Sequence, residues 1–239
     1  MIKFLKSFLT ILCFLYGTVL LGIPGSKAGY RIDFTGAKQT GKSVTGWIYR
    51  GKPGTAGSHY SVVKLDGRKV LALNSRKGSG TLLYDLSKVD LEKYPYMRWK
   101  WRVDVYPAGA DGRNPLKDDQ AVALYLGTGN HLLQNSCAYR WDTMTPKGST
   151  GFIKYALGTI KVHWKCMRNS KDGKKKWFID ECNAKEAFKR MCGGKVPAER
   201  ALTLSANSQY TGTSSRAYLE YVEFHAESLN HQKEKEKKK

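Results

Sequence analysis

Residues Tyr96–Asp111 read YMRWKWRVDVYPAGAD, and the first ten of them decide the fold class. Met97, Trp99, Trp101, Val103 and Val105 share one parity, and Arg98, Lys100, Arg102 and Asp104 share the other. Successive side chains of an extended chain point to opposite faces, so this is a strand with an apolar face and a charged face. Burial of a large apolar side chain contributes roughly 1.5–3 kcal/mol. The indoles are therefore expected inside and the cations outside.

Working outward, the same design recurs. In TIKVHWKC, Ile160, Val162, Trp164 and Cys166 oppose Thr159, Lys161, His163 and Lys165. In SCAYRW, Cys137, Tyr139 and Trp141 oppose Arg140. Other alternating segments are SVVKL and KVLAL, joined by the turn signal Asp66-Gly67, then GTLLYDL, QAVALYL, KWFIDE, ALTLSA and AYLEYVEF. Only Ala184–Cys192 has the pattern of a helix. About ten short strands with Gly- and Pro-rich connections predict an all-β antiparallel β-sandwich, of jelly-roll or lectin-like form, with one short helix.

If the three aromatic strands are neighbours, Arg98, Lys100, Arg102, Arg140, Lys161, His163 and Lys165 make one basic sheet face, the candidate ligand-binding surface. The chain has 41 basic and 20 acidic residues and a formal charge of +21. Such a field draws anionic partners.

The ends of the chain indicate which anions. Lys3 and Lys6 precede an apolar run from Phe8 to Ile23, broken by Pro24-Gly25 and followed by Ser26-Lys27-Ala28. That order predicts a signal peptide over 1–28, cleaved after Ala28. The alternative is an uncleaved anchor, for which the run is short of the ~20 residues a spanning helix needs. An extracytoplasmic location, periplasmic or secreted, follows, with one domain over 29–228 and an unstructured Lys/Glu tail over 229–239. The expected partner is then an anionic polysaccharide or envelope polymer, not nucleic acid.

With Cys13 removed, Cys137, Cys166, Cys182 and Cys192 remain. An even count outside the cytoplasm points to disulfides, with three possible pairings. Cys137–Cys166 with Cys182–Cys192 is the favoured set, because the second pair is close in sequence and the first lies on two strands.

Chemistry-bearing motifs are scarce. Glu220 and Glu223 are three apart and Asp118 and Asp119 are adjacent, so neither couple shares a strand face as a glycosidase pair would. A polysaccharide lyase, the alternative activity, could draw on Arg98, Lys100, Arg102, His163, Tyr139 and Tyr125, but Tyr139 lies on an apolar parity. There is no nucleophile elbow. His163 and Cys166 diverge on a strand, which argues against zinc. Gly36–Ser43, GAKQTGKS, fits the phosphate-loop pattern but lacks the strand–loop–helix setting. No catalytic residue, metal or cofactor is assigned, and a structural envelope protein is the third reading.

The segment Tyr94–Leu126, with WKWRVD, Pro107, Asp111 and Asp118-Asp119, is followed by Tyr139-x-Trp141, Pro146-x-Gly148 and the last strand AYLEYVEF. Together they resemble a bacterial family, the domain-of-unknown-function family 3047. The resemblance implies an exported, lectin-like sandwich. Members commonly carry an Asp-rich D-x-D-N-T segment before the last strand, whereas this chain has SANSQYTGTS at Ser205–Ser214.

Overall fold

The computed structural model describes residues 28–129 and 133–237. The expected leader lies outside the described residues. The chain begins with β1 (Tyr30–Asp33), a small hairpin β2 (Gln39–Thr40) and β3 (Ser43–Val44), then β4 (Ile48–Gly51), β5 (His59–Leu65), β6 (Arg68–Arg76) and β7 (Gly80–Asp85). It continues through β8 (Tyr96–Val105), β9 (Gln120–Gly129), β10 (Gln134–Trp141), β11 (Thr150–Tyr155), β12 (Ile160–Arg168) and β13 (Trp177–Asn183). The helix α1 (Ala184–Met191), β14 (Ala201–Asn207), β15 (Ser214–His225) and α2 (Leu229–Lys237) complete it.

Two sheets form the layers. One runs β13-β8-β15-β6-β5, with β1 also on β15; the other runs β11-β12-β10-β9-β14-β7-β4. One edge of β15 serves two partners, β6 along Ser214–Leu219 and β1 along Tyr221–Phe224. The fold is the expected all-β sandwich, with two exceptions to the antiparallel expectation of one helix. The hairpin β11–β12 docks by its second strand, so β12 runs parallel to β10. A second helix, α2, also forms.

The opening stretch behaves as its parity requires as far as Asp104; a register shift against β15 then skips Asp104 and turns Val105 outward, 36% exposed, where parity placed it inside. Trp99, Trp101 and Trp141 are all fully buried. Trp99 and Trp101 meet edge to face at 5.5 Å, and Trp101 and Trp141 meet at 5.3 Å across the two sheets. Trp99 also packs on Tyr139 at 5.4 Å. Such pairs add about 0.5–1.5 kcal/mol each beyond area burial. The Trp101 indole donates to Asp180 Oδ2 at 2.7 Å, and the Trp141 indole donates to the Asn169 carbonyl at 3.1 Å.

α1 is capped by Asn183, whose side chain accepts from the Glu186 amide at 2.9 Å. It buries Ala184, Ala187 and Phe188 against the core. α2 occupies the segment expected to be unstructured. Its first amide, Leu229, donates to the Glu181 carboxylate at 3.0 Å, and Gln232 accepts from Arg98 at 3.0 Å. Composition alone gave this segment no reason to order; docking onto β8 and β13 supplies one. The phosphate-loop match folds as the β2–β3 hairpin, with Gly41 at a φ of 60° in its turn and no following helix.

Candidate functional site

The seven basic candidates do not make one surface. Arg98, Lys100 and Arg102 face out from the six-stranded sheet, but each meets an acid from an adjacent element. Arg98, only 4% exposed, holds Glu181 at 2.6 Å, while its second nitrogen donates to the Glu227 carbonyl at 2.5 Å. Lys100 reaches Glu220 at 2.9 Å, and Arg102 binds Asp104 at 2.7 Å and Asp66 at 3.0 Å. Hydrogen bonding to Asp104 outweighs burial and keeps Arg102 more firmly protonated than usual.

Part of this neutralisation comes from an irregularity in β15. Leu219 pairs with Trp101 but Tyr221 pairs with Lys100, so Glu220 is an extra residue. A bulge of this kind resets parity. Leu219 and Val222 both enter the core, and Glu220 and Glu223 both turn outward onto the cations. The expectation that these two acids point to opposite faces is corrected here.

Arg140 lies outward on the seven-stranded sheet, yet it is 3% exposed. Its guanidinium sits 2.7 Å from Asp118 and 3.0 Å from Asp142, and 5.2 Å over the Trp164 ring. Tyr155 donates to Asp118 at 2.5 Å, and Gln120 donates to the Tyr125 hydroxyl at 3.1 Å. Burial raises the Asp142 pKa against the pull of Arg140. The guanidinium stays charged, because Asp142 and Asp118 outweigh its own desolvation. A second bulge, where β9 spends three residues against two of β14, sends Ala121 and Val122 both into the core.

Residues that carried the family resemblance secure the neighbouring loops. Asp119 accepts from the Tyr210 amide at 3.2 Å and from Thr211 at 2.7 Å through both amide and hydroxyl. Asp111 accepts from Thr145 at 3.3 Å, which in turn accepts from the Gly112 amide at 2.8 Å. Gly112 leaves no room for a side chain: a Cβ there would stand 2.8 Å from an Arg140 nitrogen. Arg140 is a clamp for these loops, not a ligand contact.

Lys161, His163 and Lys165 are the candidates that remain together and open. On β12 they share a side of the sheet with Asn135, Cys137 and Tyr139 of β10, their register partners. Trp164 therefore lies on the face opposite Trp141, packed with Val162 and Cys166 in a separate small cluster. All three candidates are exposed, as are Lys154 and Phe152, which pair with Lys161 and His163 from β11. The Phe152 and His163 rings lie 4.5 Å apart at 32°, and the Lys154 ammonium is 5.7 Å from the Phe152 ring. Among the described residues, none of Lys154, Lys161 and Lys165 makes an ion pair. The result is a cationic, aromatic stripe about 13 Å long, from a rise of ~3.3 Å per residue.

The lyase constellation is not assembled. Tyr139 packs in the core, and Tyr125 lies on the face opposite His163. Among the described residues, no group of three or more His, Cys, Asp or Glu side chains converges on a metal site, and no helix is long and apolar enough to cross a membrane. Among the described residues, Cys137, Cys166, Cys182 and Cys192 form no disulfide. Cys166 is on the outer side of the sheet beneath the Thr145 and Arg168 carbonyls, while Cys137 faces inward, so the favoured Cys137–Cys166 pair is ruled out by register.

These features define a β-sandwich with a charge-paired face and an unpaired cationic edge. The chain belongs to DUF3047, a family of proteins of unknown function, whose profile matches residues 46–223. No curated protein matches it in sequence. Among solved structures it is similar to a family 11 carbohydrate-binding module from Clostridium thermocellum in complex with a β-1,3-1,4-mixed-linked tetrasaccharide. That match has 8% identity and a TM-score of 0.41 over 79% of this chain and 94% of that one. A family 30 module of a Clostridium thermocellum cellulosomal cellulase is similar at 13% identity and a TM-score of 0.43, over 77% and 92%. A xylan-binding domain from Paenibacillus barcinonensis is similar at 12% identity and a TM-score of 0.38, over 85% and 100%. The likeness is distant and assigns no ligand to this chain.

Proposed function

We propose that the protein binds an anionic glycan or cell-envelope polymer outside the cytoplasm, through the stripe Lys154, Lys161, His163, Lys165 and Phe152. One observation carries the reading: these are exposed cations on two paired strands, flanking an exposed ring, with no carboxylate partner. The exposure of all five side chains suits a chain that passes over them, and the Phe152–His163 stack offers an apolar surface to a sugar ring. Charge attraction between exposed groups decays over a Debye length of about 8 Å at physiological salt, so binding should be strongly salt-dependent.

The test is retention on immobilised uronate-rich and phosphate-rich polymers. Replacing Lys154, Lys161 and Lys165 together by Ala should abolish retention, and raising the salt tenfold should do the same to the native chain. The parallel variant Arg98→Ala, Lys100→Ala, Arg102→Ala addresses the face first expected from the sequence. Its cations are already paired, so it should lose stability rather than affinity. Full retention by the Lys154/Lys161/Lys165 variant overturns the assignment.

A further inference from the structure

Along the outer face of the six-stranded sheet, cations and carboxylates alternate until one end, where the pairing stops. The row crossing that end is His59, Asn74, Arg216 and Val105, on the adjacent strands β5, β6, β15 and β8. Arg76 is two residues along β6 on the same face, opposite Ser214. These residues, with Gly57, Ser75 and Ser215, line a cavity of about 320 Å³.

Three observations give this cavity a chemical preference. His59, Arg76 and Arg216 are exposed, and none has an ion pair among the described residues, unlike Arg98, Lys100 and Arg102 further along the same face. The Asn74 side-chain oxygen Oδ1 accepts from Arg216 Nε at 3.1 Å, which steadies the guanidinium and leaves its two terminal nitrogens for another acceptor. No carboxylate lines the space.

We infer that this cavity is a binding site for a single oxyanion group, phosphate, sulfate or carboxylate, held by Arg76 and Arg216 with His59 at its edge. Planar guanidinium forks match such anions through paired hydrogen bonds. The site is distinct from the β11–β12 stripe: it is an open recess on the other sheet. It therefore recognises a discrete charged substituent or chain end, independently of any polymer track.

The full chain should be titrated with inorganic phosphate, sulfate and glucuronate, followed by amide and side-chain NMR shifts and by calorimetry. Saturable shifts confined to residues 57–59, 74–76 and 214–216 are expected. Arg216→Ala should weaken binding roughly tenfold, the loss expected for one charged hydrogen-bonding partner. Arg76→Ala with Arg216→Ala should remove binding, while the Lys154/Lys161/Lys165 variant keeps it. Response to phosphate and sulfate alone assigns a tetrahedral anion; response to glucuronate as well extends the site to carboxylates. Equal binding by the double arginine variant, or shifts spread over the lysines without saturation, overturns the inference. Both arginines are exposed, and an unchanged melting temperature confirms that the variant is folded.

Discussion

Replacing Arg140 by Met separates a clamp from a ligand contact. Arg140 is 3% exposed, and its two carboxylate partners, Asp118 and Asp142, are 4% and 0% exposed. The variant removes the only cation among the described residues within 3.0 Å of either acid and leaves two buried acids without a counter-charge. Breaking a buried pair by deleting one partner typically costs about 3–5 kcal/mol. For a domain near this size, each kcal/mol lowers the melting temperature by about 2–4 °C. The expected fall is thus roughly 6–20 °C, measured by calorimetry or circular dichroism.

Two controls fix the cause. Adding Asp118→Asn and Asp142→Asn should restore most of the loss, because neutral groups of the same shape carry no uncompensated charge. Lowering the pH should also help the single variant. Burial already raises Asp142 against the pull of Arg140; without that pull the folded state binds the extra proton and gains stability as pH falls through the raised pKa. A drop below about 2 °C, or a loss untouched by the paired Asn substitutions, refutes the clamp. A binding residue would show the opposite pattern: lost affinity at an unchanged melting temperature.

Two further outcomes follow from the local electrostatics. Burial pushes the Cys166 and Cys182 thiols up to about 12, so reduced native protein treated with iodoacetamide near pH 8 should label Cys192 first and these two only after unfolding. Equal labelling of all four would contradict that environment. Asp111 is lowered to about 2, chiefly by its hydrogen bond from Arg113 and against its own burial. Its contribution to stability is complete above the unfolded value of about 3.9 and disappears as pH falls towards 2. Arg113→Ala should therefore lower the melting temperature at pH 7 and converge on the native chain as pH falls towards 2, which flattens the profile in between.

The alternation in Tyr96–Val105 was enough to place the side chains from Met97 to Asp104 on the correct face, and the aromatic core followed from it; Val105, past a register shift against β15, turns outward instead. Parity along one strand says nothing about its neighbours, however. Glu181 stands beside Arg98 only because β13 pairs with β8. Glu220 and Glu223 share a face only because β15 carries an extra residue. β12 has the same pattern as β8, yet its indole lies outside the main core, because β12 docks parallel to β10 with Ala138 opposite Trp164. The signal that could have located the paired acids was present: Asp104 on β8, Glu181 on β13 and Glu220 and Glu223 on β15 all lie within strand segments. It needed the strand order to be read.

The lysines of β11 and β12 have a second physical explanation, and the topology limits it. Sheets guard their edge strands with charge, particularly lysine, to block pairing with other chains. β11 is the edge strand here, and Lys154 fits that role. β12 lies one strand in, hydrogen-bonded on both sides to β10 and β11, and has no edge to protect. Lys161 and Lys165 would repel each other and Lys154 across distances of about 5–13 Å, and no carboxylate offsets the cost. On the opposite sheet the same chain matched Arg98, Lys100 and Arg102 with acids from three elements. Edge protection accounts for one of the three lysines; an external polyanion accounts for all three. Replacing Lys154 alone should therefore raise self-association with little loss of polymer retention, whereas replacing Lys161 and Lys165 should remove retention and leave the chain monodisperse in light scattering.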